Sequence, residues 1–178
     1  MGNDSAALLP IDAYYHDLSH LAPEDREAVN FDHPDALDLD LFATHIEALR
    51  SGRAVKCPTY DFTTHCRRSE TVNIPARETI LLEGILVACR ADLRALAHRL
   101  IFVATDVALR HSRRVYRDQH ERGRDLASIE CFWVRAEDTF AAWGALAEEA
   151  ADLVVDGSED VEAMTRLVID YLSHKPDR

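Results

Sequence analysis

Residues 79–84 read TILLEG, a short apolar run that ends in an acidic residue, Glu83. Three further runs have the same form: residues 8–12 (LLPID), 99–106 (RLIFVATD) and 151–157 (ADLVVDG). Each run is long enough for one buried strand and is separated from the next by polar or helical sequence. Buried strands that alternate with helices predict a layered α/β fold with a parallel sheet.

The sequence between these runs has helical periodicity except in one segment. Leu37, Leu41, Ile46 and Leu49 mark one apolar helix face, and Asp106 is placed to cap a helix from Val107 to about His120. We expect helical structure over residues 125–150 and a final helix that starts at Ser158 and ends near Ser173. Residues 55–74 break this rhythm with prolines and alternating residues, which predicts an irregular hairpin over a site.

The composition is that of a globular protein, with 47% hydrophobic and 29% charged residues among 178. This length fits one domain. No run is long enough for a membrane helix and the start lacks the features of a signal peptide, so we expect a cytoplasmic protein without membrane contact. The net charge of -12 argues against nucleic-acid binding. The four cysteines form no CxxC pair, which favours reduced thiols.

Asp12 and Glu83 fall at the carboxyl ends of the first two predicted strands. Ligands of open α/β sheets bind at this edge. One carboxylate is suited to hold Mg²⁺ while the other accepts a proton from a substrate hydroxyl, as phosphoryl transfer requires. The alternative is that each acid only caps a turn or a helix.

An arginine-rich segment follows the third run. Arginines 110, 113, 114 and 117 share one side of the predicted helix, and two more follow at 122 and 124. Guanidinium groups bind phosphate oxygens in bidentate fashion, so six arginines in fifteen residues of an acidic chain suggest a phosphate clamp. A solvated helix face paired with Asp118 and Glu121 is the equally open alternative.

The predicted hairpin carries aromatic rings at Tyr60, Phe62 and His65. Flat ring faces and a hydrogen-bonding imidazole are what a nucleobase needs from a protein. The alternative is a surface hairpin that packs its own rings. None of the nine histidines lies in an HExxH motif or a tight His/Cys cluster, so zinc has no support.

Five ordered segments resemble the uridine kinase family, and the resemblance runs from about Leu9 to Asp125. The segments are IDAYYHD (11–17), NFDHPDALD (30–38), PTYDFTTHCRRSET (58–71), ILLEGIL (80–86) and RRVYRDQHERGRD (113–125). The resemblance implies a three-layer P-loop NTPase fold with a flap at about 55–75 and a lid at about 117–125. It also implies ATP- or GTP-dependent phosphorylation of the 5′-hydroxyl of uridine or cytidine, with Mg²⁺ as cofactor. Whether the protein forms a homo-oligomer is left open.

The resemblance also assigns roles to single residues. Asp12 matches the general base, and Glu83 matches the acid that helps to hold Mg²⁺. The residues that match the family's nucleoside pocket are Tyr15, Phe31, Asp32, Tyr60, Phe62, His65 and Arg114. Within that set, Asp32 and Arg114 match the residues at the ribose. The lid that closes over the phosphates is matched by Arg117, Arg122 and Arg124.

The sequence departs from the family in one motif. The family begins with a central strand, a GxxxxGK[ST] loop and a helix before the position of Leu9, and no two of the six glycines here have the spacing of that loop. We therefore expect a sheet without its central strand, in a chain that starts downstream of the family's usual start. The alternatives are a nucleoside-binding pseudokinase, an inactive fragment and a phosphoribulokinase-like kinase. Residues 131–140 (CFWVRAEDTF) also differ from the family.

Overall fold

The computed structural model describes residues 5–174. Six strands are present there: β1 (Ala6–Pro10), β2 (Val55–Asp61), β3 (Cys66–Ile74), β4 (Thr79–Glu83), β5 (Ile101–Ala104) and β6 (Leu153–Asp156). The helices are α1 (Pro23–Glu27), α2 (Leu39–Arg50), α3 (Ala91–Leu96), α4 (Val107–His120), α5 (Leu126–Thr139), α6 (Ala145–Glu149) and α7 (Val161–Ser173). Short 3₁₀ turns span Ile11–Tyr14 and Pro34–Ala36.

The four predicted strands form two separate parallel pairs. β1 pairs with β4 from Ala6 opposite Thr79 to Pro10 opposite Glu83, and β5 pairs with β6. Over residues 5–174, β4 and β5 are not hydrogen-bonded to each other or to a strand between them. The expected layered α/β architecture without a central strand is therefore confirmed for this part of the chain.

The segment predicted to be an irregular hairpin is an antiparallel pair of β2 and β3. The register shifts between Pro58 and Tyr60, so the strand is irregular at the proline, which has no N–H to donate. The shift lies next to Tyr60 and therefore affects the direction in which that ring points.

The four longest helices, α2, α4, α5 and α7, each start after an aspartate. Asp106 accepts a 2.8 Å hydrogen bond from the amide of Ala108, which confirms the predicted helix from Val107 to His120. The predicted start of the last helix at Ser158 is wrong, because Ser158 donates its amide and hydroxyl to Asp156 in a turn, and Asp160 caps α7 instead. Residues 140–144 form a π-helical turn between α5 and α6.

The core lies under β1 and the first 3₁₀ turn. Leu9, Ile11 and Tyr14 are fully buried there, against Phe42 and Ile46 of α2. Each such side chain stabilises the fold by about 1.5–3 kcal/mol through burial. Because Leu9 and Ile11 are anchored in this core, the backbone that carries Asp12 has a fixed position.

None of the helices in residues 5–174 is long and apolar enough to cross a bilayer. All four cysteines are free thiols; Cys57 and Cys89 are buried.

Candidate active site

Asp12 and Glu83 lie at the carboxyl edge of the β1–β4 pair, as predicted. Burial raises the pKa of Asp12, with a further increase from Asp32, while Arg122 and Arg117 act in the opposite direction. Burial also raises the pKa of Glu83, and the charge of Asp12 adds to that increase. The two carboxylates are therefore close enough to repel each other.

This pair of acids fits a divalent cation. Two neighbouring carboxylates that repel each other are stabilised by a bound Mg²⁺, which typically takes one or two protein carboxylates together with water and substrate phosphates. Among the described residues no group of three or more His, Cys, Asp or Glu side chains forms a dedicated metal cage. The carboxylate oxygens of Asp12 and Glu83 are donors of the kind that Mg²⁺ takes from a protein.

Gly84 allows the close approach of β4 to the turn that carries Asp12. Its φ angle is +132°, a region that residues with a side chain rarely adopt. A Cβ atom at this position would overlap the Cγ2 methyl of Ile11 and would lie 3.8 Å from Oδ1 of Asp12. Glycine is thus required where Glu83 meets Asp12.

Five rings predicted to line a nucleoside pocket form one aromatic cluster. The ring of Tyr15 lies 5.5 Å from that of Phe31 and 5.3 Å from that of Tyr60, while Phe31 stacks on His65 at 4.5 Å with an interplanar angle of 18°. Phe62 completes the cluster, with its ring 5.4 Å from Tyr60. The rings come from the first turn, the loop after α1 and the hairpin, so the fold brings three distant segments together.

The hydroxyl of Tyr60 is a buried polar atom without a hydrogen-bond partner in the described part of the chain. Burial is the main reason that the pKa of Tyr60 rises to about 12, so the phenol stays protonated. The hydroxyl of Tyr15, by contrast, donates a 3.0 Å bond to the carbonyl of Phe31. A buried donor with no partner costs about 1–3 kcal/mol, and a ligand acceptor that reached this hydroxyl would recover that cost.

The turn between β2 and β3 holds His65 in place. Oδ1 of Asp61 accepts hydrogen bonds from the amides of Thr63 and Thr64 at 2.9 and 3.3 Å. Arg26 donates to the carbonyl of Thr64 at 3.0 Å. His65 then adopts a φ angle of +53°, which is uncommon for a non-glycine residue and directs its ring onto Phe31.

Asp32 and Arg114, the two residues predicted to meet a ribose, form an ion pair at 3.4 Å. The amide of Asp32 donates to the side-chain oxygen of Asn30 at 3.2 Å, and Asn30 donates to Thr139 of α5 at 2.9 Å. The carboxylate of Asp32 is therefore held between α4 and α5 and faces the same side as Asp12.

The arginine-rich segment surrounds one fully buried carboxylate, that of Asp118. Arg117 contacts it at 2.8 Å, Arg122 at 3.5 Å, Arg114 at 3.7 Å and Arg124 at 4.0 Å. Burial lowers the pKa of Arg122, and the neighbouring arginines lower it further. The arginines therefore pair with Asp118, as the alternative of an ion-paired helix face predicts. Asp118 is buried, however, and not solvated as that alternative expects.

The two remaining arginines of the segment point elsewhere. Arg110 forms a bidentate pair with Glu137 at 2.7 and 3.0 Å and lies over the ring of Phe140. Arg113 donates to the carbonyl of Gly157 at 2.9 Å. Both therefore fasten α4 to its neighbours and do not join the group around Asp118.

Arg122, in the segment predicted to be a lid, reaches the hairpin. The guanidinium carbon of Arg122 lies 5.8 Å from the centre of the Phe62 ring, a cation–π contact. The predicted lid and the predicted flap are thus in contact through Arg122 and Phe62, and the charge of Arg122 opposes the rise in the pKa of Asp12.

Sequence reasoning missed Arg67, which anchors the hairpin. Its guanidinium donates to the main-chain carbonyls of Tyr15 at 3.1 Å and Tyr14 at 3.0 Å, and it pairs with Asp38 at 3.4 Å. Nothing in the sequence around Arg67 distinguishes it from Arg68, because its partners are two main-chain carbonyls and one carboxylate that lie far away along the chain.

Comparison with solved structures gives the class of fold. Residues of this chain superpose on phosphoribulokinase from Rhodobacter spheroides with a TM-score of 0.63 and 14% identity, covering 87% of this chain and 63% of that one. D-glycerate 3-kinase from Cryptococcus neoformans gives a TM-score of 0.58 with 13% identity, covering 88% and 78%. The chain has the α/β fold of the P-loop kinases.

The sequence identifies the family within that class. The Phosphoribulokinase / Uridine kinase family matches residues 3–163, and the chain belongs to this family. It is 49% identical to a uridine kinase of Chloroflexus aggregans over 129 residues and 42% identical to a uridine kinase of Brevibacillus brevis over 127. These matches cover 72% and 71% of this chain but 62% and 59% of the relatives, so the chain spans about three fifths of their length.

Proposed function

We propose that this chain is the acceptor-binding part of a uridine/cytidine kinase of the cytoplasm, which transfers phosphate from ATP or GTP to the nucleoside 5′-hydroxyl and forms UMP or CMP. The observation that carries the proposal is the partnerless buried hydroxyl of Tyr60 within the aromatic cluster. A pyrimidine carbonyl offers the acceptor that this phenol lacks. The family resemblance to uridine kinases supports the same substrate class.

In this proposal the aromatic cluster binds the base. Tyr15, Phe31, Phe62 and His65 surround its faces and edge, and Tyr60 donates to it. The Asp32–Arg114 pair meets the ribose, since an aspartate accepts from hydroxyl groups and a guanidinium donates to them.

Asp12 is the proposed general base. It accepts the proton of the 5′-hydroxyl as the oxygen attacks the terminal phosphorus of the donor, while the bond from that phosphorus to the bridging oxygen breaks and the nucleoside diphosphate leaves. Its raised pKa supports this role, because a base works best when its pKa approaches the working pH. Glu83 would hold Mg²⁺ together with the donor phosphates, and the ion would neutralise charge that develops on them. Arg117, Arg122 and Arg124 close over the phosphates as a lid at about 117–125, opposite the flap at about 55–75.

Titration calorimetry with uridine tests the proposal. We expect one binding site for uridine and no binding of adenosine, which is too large for a pyrimidine pocket. Tyr60→Phe should weaken uridine binding roughly threefold to tenfold through one lost hydrogen bond, and His65→Ala should abolish it. No measurable heat with uridine in the unmodified protein would contradict the proposal.

A nucleoside-binding protein without catalysis is the second candidate. It is favoured by one observation, that the aromatic cluster and the Asp32–Arg114 pair are groups that can hold a nucleoside without a phosphate donor. An assay with uridine, ATP and Mg²⁺ separates the two. Uridine binding without UMP formation supports the binding protein, and UMP formation that is lost in Asp12→Asn supports the kinase.

A further inference from the structure

Phe31 and Asp32 are the two central residues of one tight turn. The amide of His33 donates to the carbonyl of Asn30 at 3.1 Å, which closes the turn, and the amide of Asp32 donates to the side-chain oxygen of Asn30 at 3.2 Å. Asparagine favours the first position of a turn because its side chain can bond the main chain two residues later. This turn carries one residue of the aromatic cluster and, directly after it, the partner of Arg114.

A side-chain hydrogen bond ties this turn to the end of α5. The amide nitrogen of the Asn30 side chain donates to the hydroxyl of Thr139 at 2.9 Å, and the two residues are 109 positions apart in sequence. Thr139 is the last residue of α5 and is only 7% exposed. Beside it, the ring of His33 lies 5.7 Å from that of Trp143 in the π-helical turn. The end of α5 and the turn after it therefore contact both ends of the turn at residues 30–33.

The direction of the hydrogen bonds fixes the orientation of the Asn30 amide. The hydroxyl of Thr139 donates its single hydrogen to the carbonyl of Arg135, four residues earlier, at 2.8 Å. The same oxygen can then only accept from Asn30, so the NH₂ group of Asn30 faces α5 and its oxygen faces the amide of Asp32. Valine has nearly the shape of threonine but no acceptor, so Thr139→Val would remove this partner of the NH₂ group.

The carboxylate of Asp32 depends on the turn for its position. It pairs with Arg114 at 3.4 Å, whereas a hydrogen bond between a guanidinium and a carboxylate is usually about 2.7–2.9 Å long, so this pair is loose. The charge of Asp32 helps to raise the pKa of Asp12 and that of Tyr15, which places it near both the proposed base and the aromatic cluster. A shift of the turn would therefore move the carboxylate within the proposed site.

We propose that Thr139 is a positioning residue for sugar recognition, which acts through Asn30 and orients Asp32 toward the ribose hydroxyls of the nucleoside. The inference rests on the proposed function and adds to it a residue that sets the preference for a ribonucleoside. Thr139 lies within residues 131–140, where the sequence departs from the family, so the resemblance does not supply this assignment.

Calorimetry with uridine and 2′,3′-dideoxyuridine tests the inference, because the two ligands share the base and differ in the ribose hydroxyls. We expect Thr139→Val to weaken uridine binding roughly threefold to tenfold, as the loss of one hydrogen bond does, and to leave 2′,3′-dideoxyuridine binding unchanged. Thr139→Ser restores the hydroxyl and should bind uridine as the unmodified protein does. Thr165→Val is the matched control, since exposed Thr165 makes the same bond to the carbonyl four residues earlier, at 2.7 Å in α7. Neither affinity should change there.

Two further variants test the path through Asn30 and Asp32. In a protein that carries Asp32→Ala, the added change Thr139→Val should alter uridine affinity by less than about twofold, because the residue that Thr139 positions is gone. Asn30→Ala removes the link and should also weaken uridine binding alone. This variant leaves α5 unchanged, so it keeps the test decisive if Thr139→Val does not fold.

Equal weakening of uridine and 2′,3′-dideoxyuridine binding by Thr139→Val or Asn30→Ala would overturn the inference and leave a packing role only. The full effect of Thr139→Val in the Asp32→Ala protein would overturn it as well. Both results leave the proposed function intact, because the unmodified protein still binds uridine. Absence of uridine binding to the unmodified protein would overturn the proposed function and this inference together.

Discussion

Arg67 of β3 donates its Nε hydrogen to the main-chain carbonyl of Tyr15, with the nitrogen and oxygen 3.1 Å apart. The same guanidinium bonds the carbonyl of Tyr14 and the carboxylate of Asp38. This one side chain therefore ties the hairpin to the turn that carries Asp12 and Tyr15. The geometry of the aromatic cluster depends on that connection.

Replacement of Arg67 by methionine should separate the hairpin from this turn. We expect the free energy of unfolding to fall by about 2–3 kcal/mol, because charged hydrogen bonds to half-buried carbonyls are lost. Uridine affinity should fall as well, measured by calorimetry under conditions where the variant is folded. Arg68→Met is the matched control, since Arg68 is more exposed and pairs with Asp61 inside the hairpin. Its effect should stay below about 1 kcal/mol; equal effects of the two variants would contradict the role of Arg67.

Replacement of Asp118 by asparagine should disturb the whole arginine group. Removal of the buried charge leaves four guanidinium groups without their shared partner, and we expect a loss of roughly 3–5 kcal/mol in urea unfolding. Glu121→Gln changes an exposed acid in the same segment, and its effect should be about 0.5 kcal/mol or less. An Asp118→Asn protein as stable as the unmodified one would show that the arginines do not depend on this carboxylate.

The raised pKa of Asp12 predicts a pH-dependent effect of its removal. The fold favours the protonated form of Asp12 over the charged form. The stability that this preference contributes is fully present below pH 3.8, the pKa of an ordinary aspartate. It is lost as the pH rises through the higher pKa that Asp12 has in the folded protein. Asp12→Asn should therefore be more stable than the unmodified protein at pH 7, and this advantage should disappear in acid. Removal of the charge also relieves the repulsion that helps to raise the pKa of Glu83.

Asp17→Asn provides the control of opposite sign. A hydrogen bond from Ser19 lowers the pKa of Asp17, so its charged form is favoured by the fold. This variant should be less stable than the unmodified protein at pH 7 and should approach it in acid. Urea unfolding of both variants at several pH values measures the two trends, and trends of the same sign would refute the assignment.

Gly84→Ala should be strongly destabilising. The added methyl would overlap Ile11 in the core, and the φ angle of +132° is unfavourable for alanine, so we expect a loss of about 3 kcal/mol or more. Gly52→Ala serves as the comparison, because Gly52 also has a positive φ angle but its added Cβ would have no atom within 4 Å. A cost of about 1–2 kcal/mol is expected there. Similar losses at the two sites would mean that contact with Ile11 is unimportant.

Local patterns predicted the elements well where short-range interactions decide them. The helix after Asp106 starts and ends as expected, because the capping carboxylate and the amides it binds are neighbours in sequence. The last helix starts later than expected because Asp156, a residue of β6, captures Ser158 in a turn. The π-helical turn at residues 140–144 was not predicted. Gly144 there packs against the ring of Phe140, so that a Cβ would collide with it.

The sequence by itself determined the strands that end in acids, the hairpin, the arginine-rich helix and the family, because each depends on residue types at fixed spacing along the chain. Only the tertiary structure decided that Tyr60 has a buried hydroxyl without a partner, that Asp118 is buried among four arginines and that Arg67 holds the turn. These features depend on burial and on main-chain atoms of distant segments, and no local pattern of side chains encodes either.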